Sequence, residues 1–324
     1  MTRRAGYDPG MRILLAGIAL LAAAPVAAQE PFVIIPGHID LAIGPDGNTI
    51  VLDAPDGLIV IDSGRHAAHS EAILAHAEEA GRPIAAIVNS HWHLDHTTGN
   101  VDLRRAFPAA ELIATGAAEG ALTGFLAEAP ANARRRIDDP ASSEDDRTRA
   151  SRTLAILTEQ GMLVPAVPVT ESGVRIIAGR KIELHVAPSA VTEADLWLLV
   201  PDEHLAIVGD LVVAQSPFFD TGCEEGWEAA LDAIGAAQWD TLIPGHGAPM
   251  DRAGFARWRT AFSSFVACSR SDAAAEACAD GWERDAAGFF TEAEAPSVRE
   301  LSRYYIAVLR SPPEQRMDYC LTSR

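Results

Sequence analysis

The stretch His91-Trp92-His93-Leu94-Asp95-His96 follows the apolar run Ile84–Val88 and decides how the rest of the chain is interpreted. Three imidazoles and a carboxylate are costly to bring so close together without a cation, because each lone pair and charge would otherwise need its own partner. In an extended segment, residues two apart project to the same side, so His91 and His93 can bind one ion. If a helix begins soon afterwards, Asp95 and His96 turn to another side and can bind a second ion. The stretch therefore predicts a metal centre with room for two ions.

Three further segments end an apolar, strand-like run in a residue that can support or bind a metal. Leu58–Gly64 carries Asp62, Ala206–Asp210 ends in a carboxylate, and Leu242–Gly247 carries His246. Together with the histidine stretch, and in this order, they resemble the motifs of the metallo-β-lactamase-fold hydrolases, whose signature is HxHxDH. The resemblance spans roughly residues 38 to 250. Because four ordered motifs agree, it is much more specific than one short match.

The resemblance implies an α/β fold, a four-layer αββα sandwich of the metallo-β-lactamase type. Asp62 would brace the metal loop from behind, and Asp95 and Asp210 would hold the ion and orient the attacking water as the catalytic carboxylates. The implied metal ligands are His91, His93, Asp95, His96, Asp210 and His246. The implied cofactor is zinc, and the implied reaction is attack of a metal-activated water on a carbonyl-type (lactam, lactone, thioester) or ester substrate. Nothing in the sequence selects among these substrates.

One ligand that the resemblance implies is absent. The family carries a His-Thr pair shortly before the strand that leads to the bridging Asp210, and here the pair is Val191-Thr192. An isopropyl group cannot bind a cation, so the first site keeps only His91, His93 and Asp210. The second site, from Asp95, His96, His246 and Asp210, is complete. We therefore expect one tightly bound zinc at the second site, with a second ion possible.

His185 is the nearest histidine that could replace the absent ligand. It lies six residues upstream of Val191 in a strand-like segment. An offset of that length along an extended chain is about 20 Å. A strand histidine with local hydrogen bonds is therefore the favoured interpretation.

Two functions from different classes remain open. The first is a zinc-dependent hydrolase that works with one principal metal. The second is a non-catalytic member of the fold that binds a metal, a ligand or a partner protein through a degenerate first site. Val191 is the feature that separates them. We favour the hydrolase because the second site is complete.

Composition limits the partners of the protein. The 324 residues carry a formal net charge of -19, which disfavours nucleic acid because its phosphates would be repelled. The hydrophobic content of 48% is enough for a large core. A small-molecule substrate is the expected partner, and no feature of the sequence supports a partner protein.

The N-terminus has the pattern of a signal peptide over residues 1–28. Arg12 precedes the apolar run Ile13–Ala24, and small residues follow as far as Ala28, after which we expect cleavage. The run is too short to span a membrane. Met11 is an alternative start to Met1. The pattern predicts a periplasmic or secreted protein.

Export changes the interpretation of the cysteines. There are four, Cys223, Cys268, Cys278 and Cys320, and disulfides are the default in an oxidising compartment. Of the three possible pairings, the one that joins Cys268 to Cys278 is the most local. A metal-ligand role for Cys223 is a weaker alternative, because Asp210 already fills the carboxylate position.

The mature chain divides into a metallo-β-lactamase-like domain over residues 29–250 and a helical extension over 251–324 that packs on it. Residues 129–165 read as an insertion that either roofs the active site or is a solvated, mixed-charge helix. In the extension, an apolar stripe of Phe255, Trp258, Phe262 and Phe265 predicts a core-facing helix. The predicted helices are Ala67–Ala80, Ala117–Glu128, Arg252–Val266, Asp272–Ala279 and Pro296–Leu309.

Overall fold

A computed structural model describes residues 1–2, 31–39 and 44–321 of the chain. Residues 3–28 of the predicted signal peptide, with the cleavage site after Ala28, lie outside the described residues. Within them, no helix is both long enough and apolar enough to cross a membrane. From Pro31 onward the chain forms one compact unit.

Groups of strands are separated by single helices or by groups of helices along the chain. The strands are β1 (Phe32–Ile35), β2 (Thr49–Ala54), β3 (Gly57–Ile61), β4 (Ile84–Val88), β5 (Glu111–Ile113), β6 (Gly173–Ile177), β7 (Arg180–Pro188), β8 (Ala194–Val200), β9 (Leu205–Ile207) and β10 (Thr241–Ile243). The helices are α1 (Ala67–Ala80), α2 (Leu94–Thr97), α3 (Asn100–Ala106), α4 (Ala117–Thr123), α5 (Ala129–Asp138), α6 (Glu144–Thr158), α7 (Glu224–Ala236), α8 (Arg252–Ser269), α9 (Ala275–Asp285), α10 (Ala295–Leu309) and α11 (Asp318–Leu321).

The strands form two five-stranded sheets. The first has the order β1-β2-β3-β4-β5 and the second the order β10-β9-β8-β7-β6. In the first sheet β3, β4 and β5 run parallel, which places the ends of β3 and β4 at the same edge. In the second sheet β9 and β10 also run parallel. Each parallel pair therefore delivers two loops to one edge of its sheet.

Alternation along the strands explains the layers. In β3, Ile59 and Ile61 enter an apolar core that also contains Leu196 of β8, so this core lies between the two sheets. Leu58 and Val60 of β3 face the other way, into a cluster with residues of α1 and α3. This division follows from the two-residue period of a strand. The predicted four-layer αββα sandwich is confirmed.

The outer face of the second sheet is covered by α7 and by the C-terminal helices. The aromatic stripe of α8 is buried there, with Trp258 and Phe262 fully inaccessible to solvent. Phe255 and Phe265 are buried in the same cluster, which also includes Trp197 of β8. The prediction that this stripe faces the core is confirmed, and the stripe joins the extension to the sheet.

All five predicted helices are present, but only one has the predicted bounds. α10 begins one residue early, α8 continues to Ser269, and α4 and α9 differ more. α1 has the predicted bounds, whereas α4 ends at Thr123 because Gly124 leaves the helix with φ -107° and ψ -105°. α9 begins at Ala275, later than predicted, because the Ser271 side chain accepts a hydrogen bond from the Ala273 N–H and holds these residues in a turn.

The structure pairs the four cysteines in two disulfides. Cys268 is joined to Cys278, which links α8 to α9, and the Cα atoms are 5.5 Å apart. Cys223 is joined to Cys320, which links the start of α7 to α11, with a Cα separation of 5.2 Å. Of the three possible pairings, the structure has the one that contains the most local bond. Cys223 is in a disulfide and does not serve as a metal ligand here.

Candidate metal centre

The predicted site residues come from the ends of strands in both sheets. Asp62 follows β3, the histidine stretch follows β4, Asp210 lies in a short 3-10 turn after β9, and His246 follows β10. As expected, a helix begins within the histidine stretch, at Leu94, so Asp95 and His96 turn away from the preceding extended backbone. These four loops meet where the edges of the two sheets come together.

Five of the six predicted ligands converge closely. His96 Nε2 is 3.0 Å from Asp210 Oδ1 and 3.2 Å from His246 Nε2. His246 Nε2 is 3.3 Å from Asp95 Oδ2. On the other side, His91 Nε2 is 3.6 Å from Asp210 Oδ2. In the described part of the chain, two sets have ligand atoms close enough to share one ion: His91, His96 and Asp210, and Asp95, His96 and His246.

His93 lies beside these residues but belongs to neither set. Its Nε2 is 2.9 Å from the Thr221 hydroxyl, and that hydroxyl donates to the Val191 carbonyl at 2.8 Å. A hydroxyl has one proton, so its oxygen accepts from His93, and His93 must carry its proton on Nε2. In this arrangement Nε2 of His93 cannot bind a cation, and the lone pair of the ring lies on Nδ1. The hydrogen bond therefore fixes His93 next to Val191, the position of the missing ligand.

Val191 is part of the apolar core. It is 1% exposed and packs in the cluster that contains Trp227. Its N–H donates to Asp195 Oδ2 at 2.9 Å, and Asp195 also accepts from the Thr192 hydroxyl at 2.7 Å. Burial raises the pKa of Asp195 to about 7, against the opposing effect of these hydrogen bonds. The Val191-Thr192 turn is therefore fixed by a buried carboxyl group.

His185 lies in β7, away from both sets. It pairs in register with Trp197, and the two rings stack with centroids 3.9 Å apart. The predicted place within a strand is confirmed, but the predicted local hydrogen bond is not seen among the described residues, because Nε2 is buried without a partner and the contact is a ring stack.

Asp62 supports the metal loop from behind, as the resemblance implies. Its carboxylate accepts from the Ser90 N–H at 2.8 Å and from the Ser90 hydroxyl at 2.7 Å, and it lies 2.8 Å from His96 Nδ1. Asp62 has a φ of 58°, a left-handed conformation that is rare for a residue with a side chain. A strained backbone at a position with three such contacts is typical of a functional site. The contact with Nδ1 turns His96 Nε2 towards Asp210.

Two glycines let the backbone approach the ligands. A Cβ at Gly245 would lie 2.0 Å from Asp210 Oδ1, and one at Gly47 would lie 2.3 Å from His96 Cε1. Asn48 precedes β2 of the first sheet, and Pro244 and Gly247 follow β10 of the second. The Asn48 side-chain amide donates to both carbonyls and so links the loops of the two sheets. Any larger residue at either glycine would displace a candidate ligand.

The charges of the site are strongly coupled. Burial opposes protonation of His96 and His246, but Asp210 and its neighbouring carboxylates outweigh burial, so the pKa of His96 is raised and that of His246 is raised to about 9. Burial instead dominates at His91, whose pKa is lowered, and at His93, where it falls to about 4. Burial would raise the pKa of Asp210, but the adjacent histidines lower it. Without a metal ion, the positive charges of protonated His96 and His246 balance the negative charges of the carboxylates around them.

The donor set fits a divalent metal ion. His91 Nε2 is buried without a hydrogen-bond partner, which is costly unless a ligand takes its lone pair. Imidazole nitrogens and carboxylate oxygens are ligands that zinc prefers. A cation here would take the place of the protons that balance Asp95 and Asp210.

A cavity of about 780 Å³ opens beside these residues, within the size range of small-molecule sites. Its lining includes the candidate ligands His93, Asp95, Asp210 and His246 and a largely apolar wall from Phe125, Leu126, Val213, Phe218 and Leu301. Arg65 also lines it, with Nη2 3.6 Å from Asp95 Oδ1. No residue of the 129–165 insertion is among the lining residues, and α10 of the C-terminal extension supplies that side instead. The insertion helices line a separate cavity of about 340 Å³.

Sequence reasoning missed Arg65, Thr221 and the role of Asp195. Arg65 directly follows the Asp62-Ser63-Gly64 motif, and that position was a usable signal. Asp195 was visible as a carboxyl group in an otherwise apolar strand. Thr221 carried no signal, because its partner His93 is 128 residues away in the chain.

Comparisons with known proteins identify the family of the chain. Residues 43–246, more than half of the chain, match the metallo-beta-lactamase superfamily. The linear primary-alkylsulfatase of Pseudomonas sp. (strain ATCC 19151) is 28% identical over 228 residues, which cover 62% of this chain and 41% of that protein. The chain thus spans less than half the length of this relative.

Two solved structures illustrate the shared fold. A metallo-beta-lactamase from Pontibacter korlensis superposes with a TM-score of 0.52 at 16% identity, over 73% of this chain and 96% of that one. The sec-alkylsulfatase Pisa1 from Pseudomonas sp. superposes with a TM-score of 0.56 at 17% identity, over 80% of this chain and 47% of that one. The superfamily match and the alkylsulfatase relative support a hydrolase at a coarse level. The chain belongs to the metallo-beta-lactamase superfamily.

Proposed function

We propose that the protein is a zinc-dependent hydrolase with one principal zinc, held by Asp95, His96, Asp210 and His246. A second ion would use His91 and Asp210, with Nδ1 of His93 as the further donor on that side. The observation that carries this proposal is the convergence of two donor sets, one of them with an unpartnered buried nitrogen, beside a cavity of small-molecule size.

The chemistry follows from what each side chain does. When bound, zinc supplies Lewis-acid chemistry, which polarises a carbonyl or ester oxygen and makes water more acidic. Asp62 orients His96 through Nδ1. Asp95 and Asp210 are held as carboxylates, because their pKa values are lowered, so both can bind a cation and accept a hydrogen bond from the attacking water. The apolar wall of the cavity keeps bulk water from these charges.

The substrate is proposed as a carbonyl-type or ester compound. The named relatives act on different bonds, since one is an alkylsulfatase and another a lactamase. A test set should therefore contain a lactam, a lactone, a thioester and a primary alkyl sulfate.

A non-catalytic metal-binding protein is the second candidate. The observation that favours it is that His93 belongs to neither donor set, while Val191 stands in place of a further ligand. Such a protein would bind zinc and hydrolyse none of the test compounds.

We also propose a periplasmic or secreted location. The two disulfides support an oxidising compartment. The signal-peptide pattern before Ala28 supports export.

The first prediction compares two ligand substitutions. His246→Ala is expected to lower zinc affinity more than His91→Ala does, because His246 belongs to the principal site. The loss for His246→Ala should exceed the 10- to 100-fold that removal of an outer hydrogen-bond partner costs. For both variants we would measure the zinc content and how much zinc is retained against a chelator. Hydrolysis of the test compounds would be measured in parallel.

His204→Ala is the matched control, because this histidine is 65% exposed and contacts Asp240 far from the site. It should bind zinc as the parent does. An equal or larger loss in His91→Ala would show that the first site is the principal one. Full zinc binding without hydrolysis of any test compound would favour the non-catalytic candidate.

A further inference from the structure

Two hydroxyl groups in the large cavity have no hydrogen-bond partner among the described residues. The Ser216 side chain is 7% exposed, and its oxygen is buried without a partner. Tyr305 is 3% exposed, and no hydrogen bond involves its phenol oxygen in the part of the chain that the structure describes. Both residues line the cavity that Asp95 and Asp210 also line. A buried hydroxyl without a partner costs free energy, so the Ser216 hydroxyl requires an explanation, and the Tyr305 hydroxyl is a second donor in the same cavity.

Hydrogen bonds from the C-terminal helices fix the segment that carries Ser216. The indole of Trp258 donates to the Val213 carbonyl at 2.8 Å, and that of Trp282 donates to the Gln215 carbonyl at 2.9 Å. The Gln215 side chain donates to Glu294, just before α10. The segment that carries Ser216 is thus held by three helices of the C-terminal extension. A group positioned in this way and left unpaired is preorganised for a ligand.

Tyr305 faces the same region from α10. Its ring contacts Phe218, with centroids 5.7 Å apart, and Phe218 in turn contacts His93, with centroids 5.0 Å apart. Burial raises the pKa of Tyr305, and the carboxylates of Asp220, Asp210 and Asp95 raise it further. The phenol therefore stays protonated and is available as a hydrogen-bond donor.

We propose that Ser216 and Tyr305 bind the substrate by donating hydrogen bonds to its oxygen-bearing head group, while its apolar part lies against Phe125, Leu126 and Leu301. This inference rests on the proposed hydrolase function and names its substrate class, an ester with an apolar chain. Tyr305 lies outside residues 43–246, so the C-terminal extension completes a binding site that the superfamily region alone leaves open.

Two types of substrate have a head group that accepts hydrogen bonds. A sulfuric ester and a carboxylic ester both present acceptor oxygens. Octanesulfonate resembles the first and methyl hexyl ketone the second, and neither is hydrolysed. Both probes are titrated into the zinc-loaded full chain by calorimetry, and butanesulfonate is included as a short-chain probe.

Chain length tests the apolar wall. Each methylene that enters an apolar site strengthens binding about fourfold. Octanesulfonate is therefore expected to bind much more tightly than butanesulfonate. Equal affinities, or no binding of any probe, would overturn the assignment of an apolar chain to this cavity.

Substitutions test the two hydroxyls. Tyr305→Phe and Ser216→Ala are each tested with octanesulfonate or methyl hexyl ketone, whichever binds the parent more tightly. Each substitution should weaken binding of that probe about three- to tenfold, the effect of one hydrogen bond. The ratio between octanesulfonate and butanesulfonate should stay unchanged, because the apolar wall is intact. A merely structural defect would lower that ratio.

Tyr304→Phe and Ser263→Ala are the matched controls. The Tyr304 hydroxyl already donates to Asp220, and the Ser263 hydroxyl donates to Glu228. Both controls should bind the probes as the parent does. If Tyr305→Phe and Ser216→Ala also bind like the parent, the proposal is wrong, and Ser216→Ala decides the case if Tyr305→Phe does not fold. Zinc uptake is measured separately, so a failure of the proposed hydrolase function is recognised without these probes.

Discussion

Asp62 shows how one residue can order a whole metal centre. It lies at the end of β3 in a left-handed conformation, and its two oxygens contact Ser90 and His96 of the following loop. The carboxylate therefore sets both the path of the metal loop and the orientation of one candidate ligand. Asp62 is not among the residues that line the cavity, so it acts through Ser90 and His96.

Removal of the Asp62 carboxylate should weaken metal binding. Asp62→Ala is expected to lower zinc affinity about 10- to 100-fold, because His96 loses the partner that fixes its ring. Competition with a chelator measures the affinity. Asp202→Ala, in an exposed turn, is the control and should retain parental affinity. Parental affinity in Asp62→Ala would mean that the loop is ordered by other contacts.

Val191 tests the interpretation of the missing ligand. Val191→His is expected to raise bound zinc towards two ions per chain, because a third imidazole would join His91 and His93. The buried position makes the variant less stable without metal. Its melting temperature should therefore respond to zinc more strongly than that of the parent. Unchanged stoichiometry in a folded variant would show that this side chain does not face the first site.

At the scale of elements, the C-terminal helices are joined to the superfamily region by more than apolar packing. Cys223–Cys320 closes a sequence separation of 97 residues, whereas Cys268–Cys278 closes only 10. The first disulfide ties α11 to the start of α7, and the second holds α8 and α9 together. The extension thus keeps α10 against the cavity that it lines.

The two disulfides should contribute unequally to stability. The chain-entropy model gives about 4.7 kcal/mol for a loop of roughly 100 residues and about 3 kcal/mol for one of 15. Cys223→Ser/Cys320→Ser is therefore expected to lower the free energy of unfolding more than Cys268→Ser/Cys278→Ser, as measured with urea. Thiol titration of the denatured, unreduced parent should find no free thiol. The reverse order of stability, or two free thiols in the exported protein, would contradict these pairings.

For the whole molecule, the metal centre joins the two sheets. Asp62 and the histidine stretch come from the first sheet, and Asp210 and His246 come from the second. A metal that binds only the folded chain therefore stabilises both halves of the sandwich together.

Zinc should stabilise the protein more as pH rises. In the metal-free fold His246 keeps its proton up to a pKa of about 9, and zinc must displace that proton. The gain in melting temperature from zinc is therefore expected to grow from neutral pH towards about 9. Melting curves of zinc-loaded and chelator-treated protein across this range provide the measurement. A gain that falls or stays constant would show that His246 does not bind the metal.

The sequence alone indicated most of the candidate metal centre, and the order of its motifs implied the layers of the fold through the resemblance to the metallo-β-lactamase-fold hydrolases. Helix periodicity is a local pattern, so Trp258 could be assigned to a buried helix face. The histidine stretch and Asp62 were visible because each closely follows an apolar strand. The ends of parallel strands then bring such residues to one edge.

Only the tertiary structure decided the partners of side chains that are distant in sequence. The contact of His93 with Thr221, the pairing of Cys223 with Cys320 and the approach of Tyr305 to the cavity all join segments about 90 residues apart or more. Such contacts depend on how helices pack on the second sheet and on which rotamer each side chain adopts. No local periodicity encodes either, so the wall of the cavity and the state of the first metal site emerged only from the folded chain.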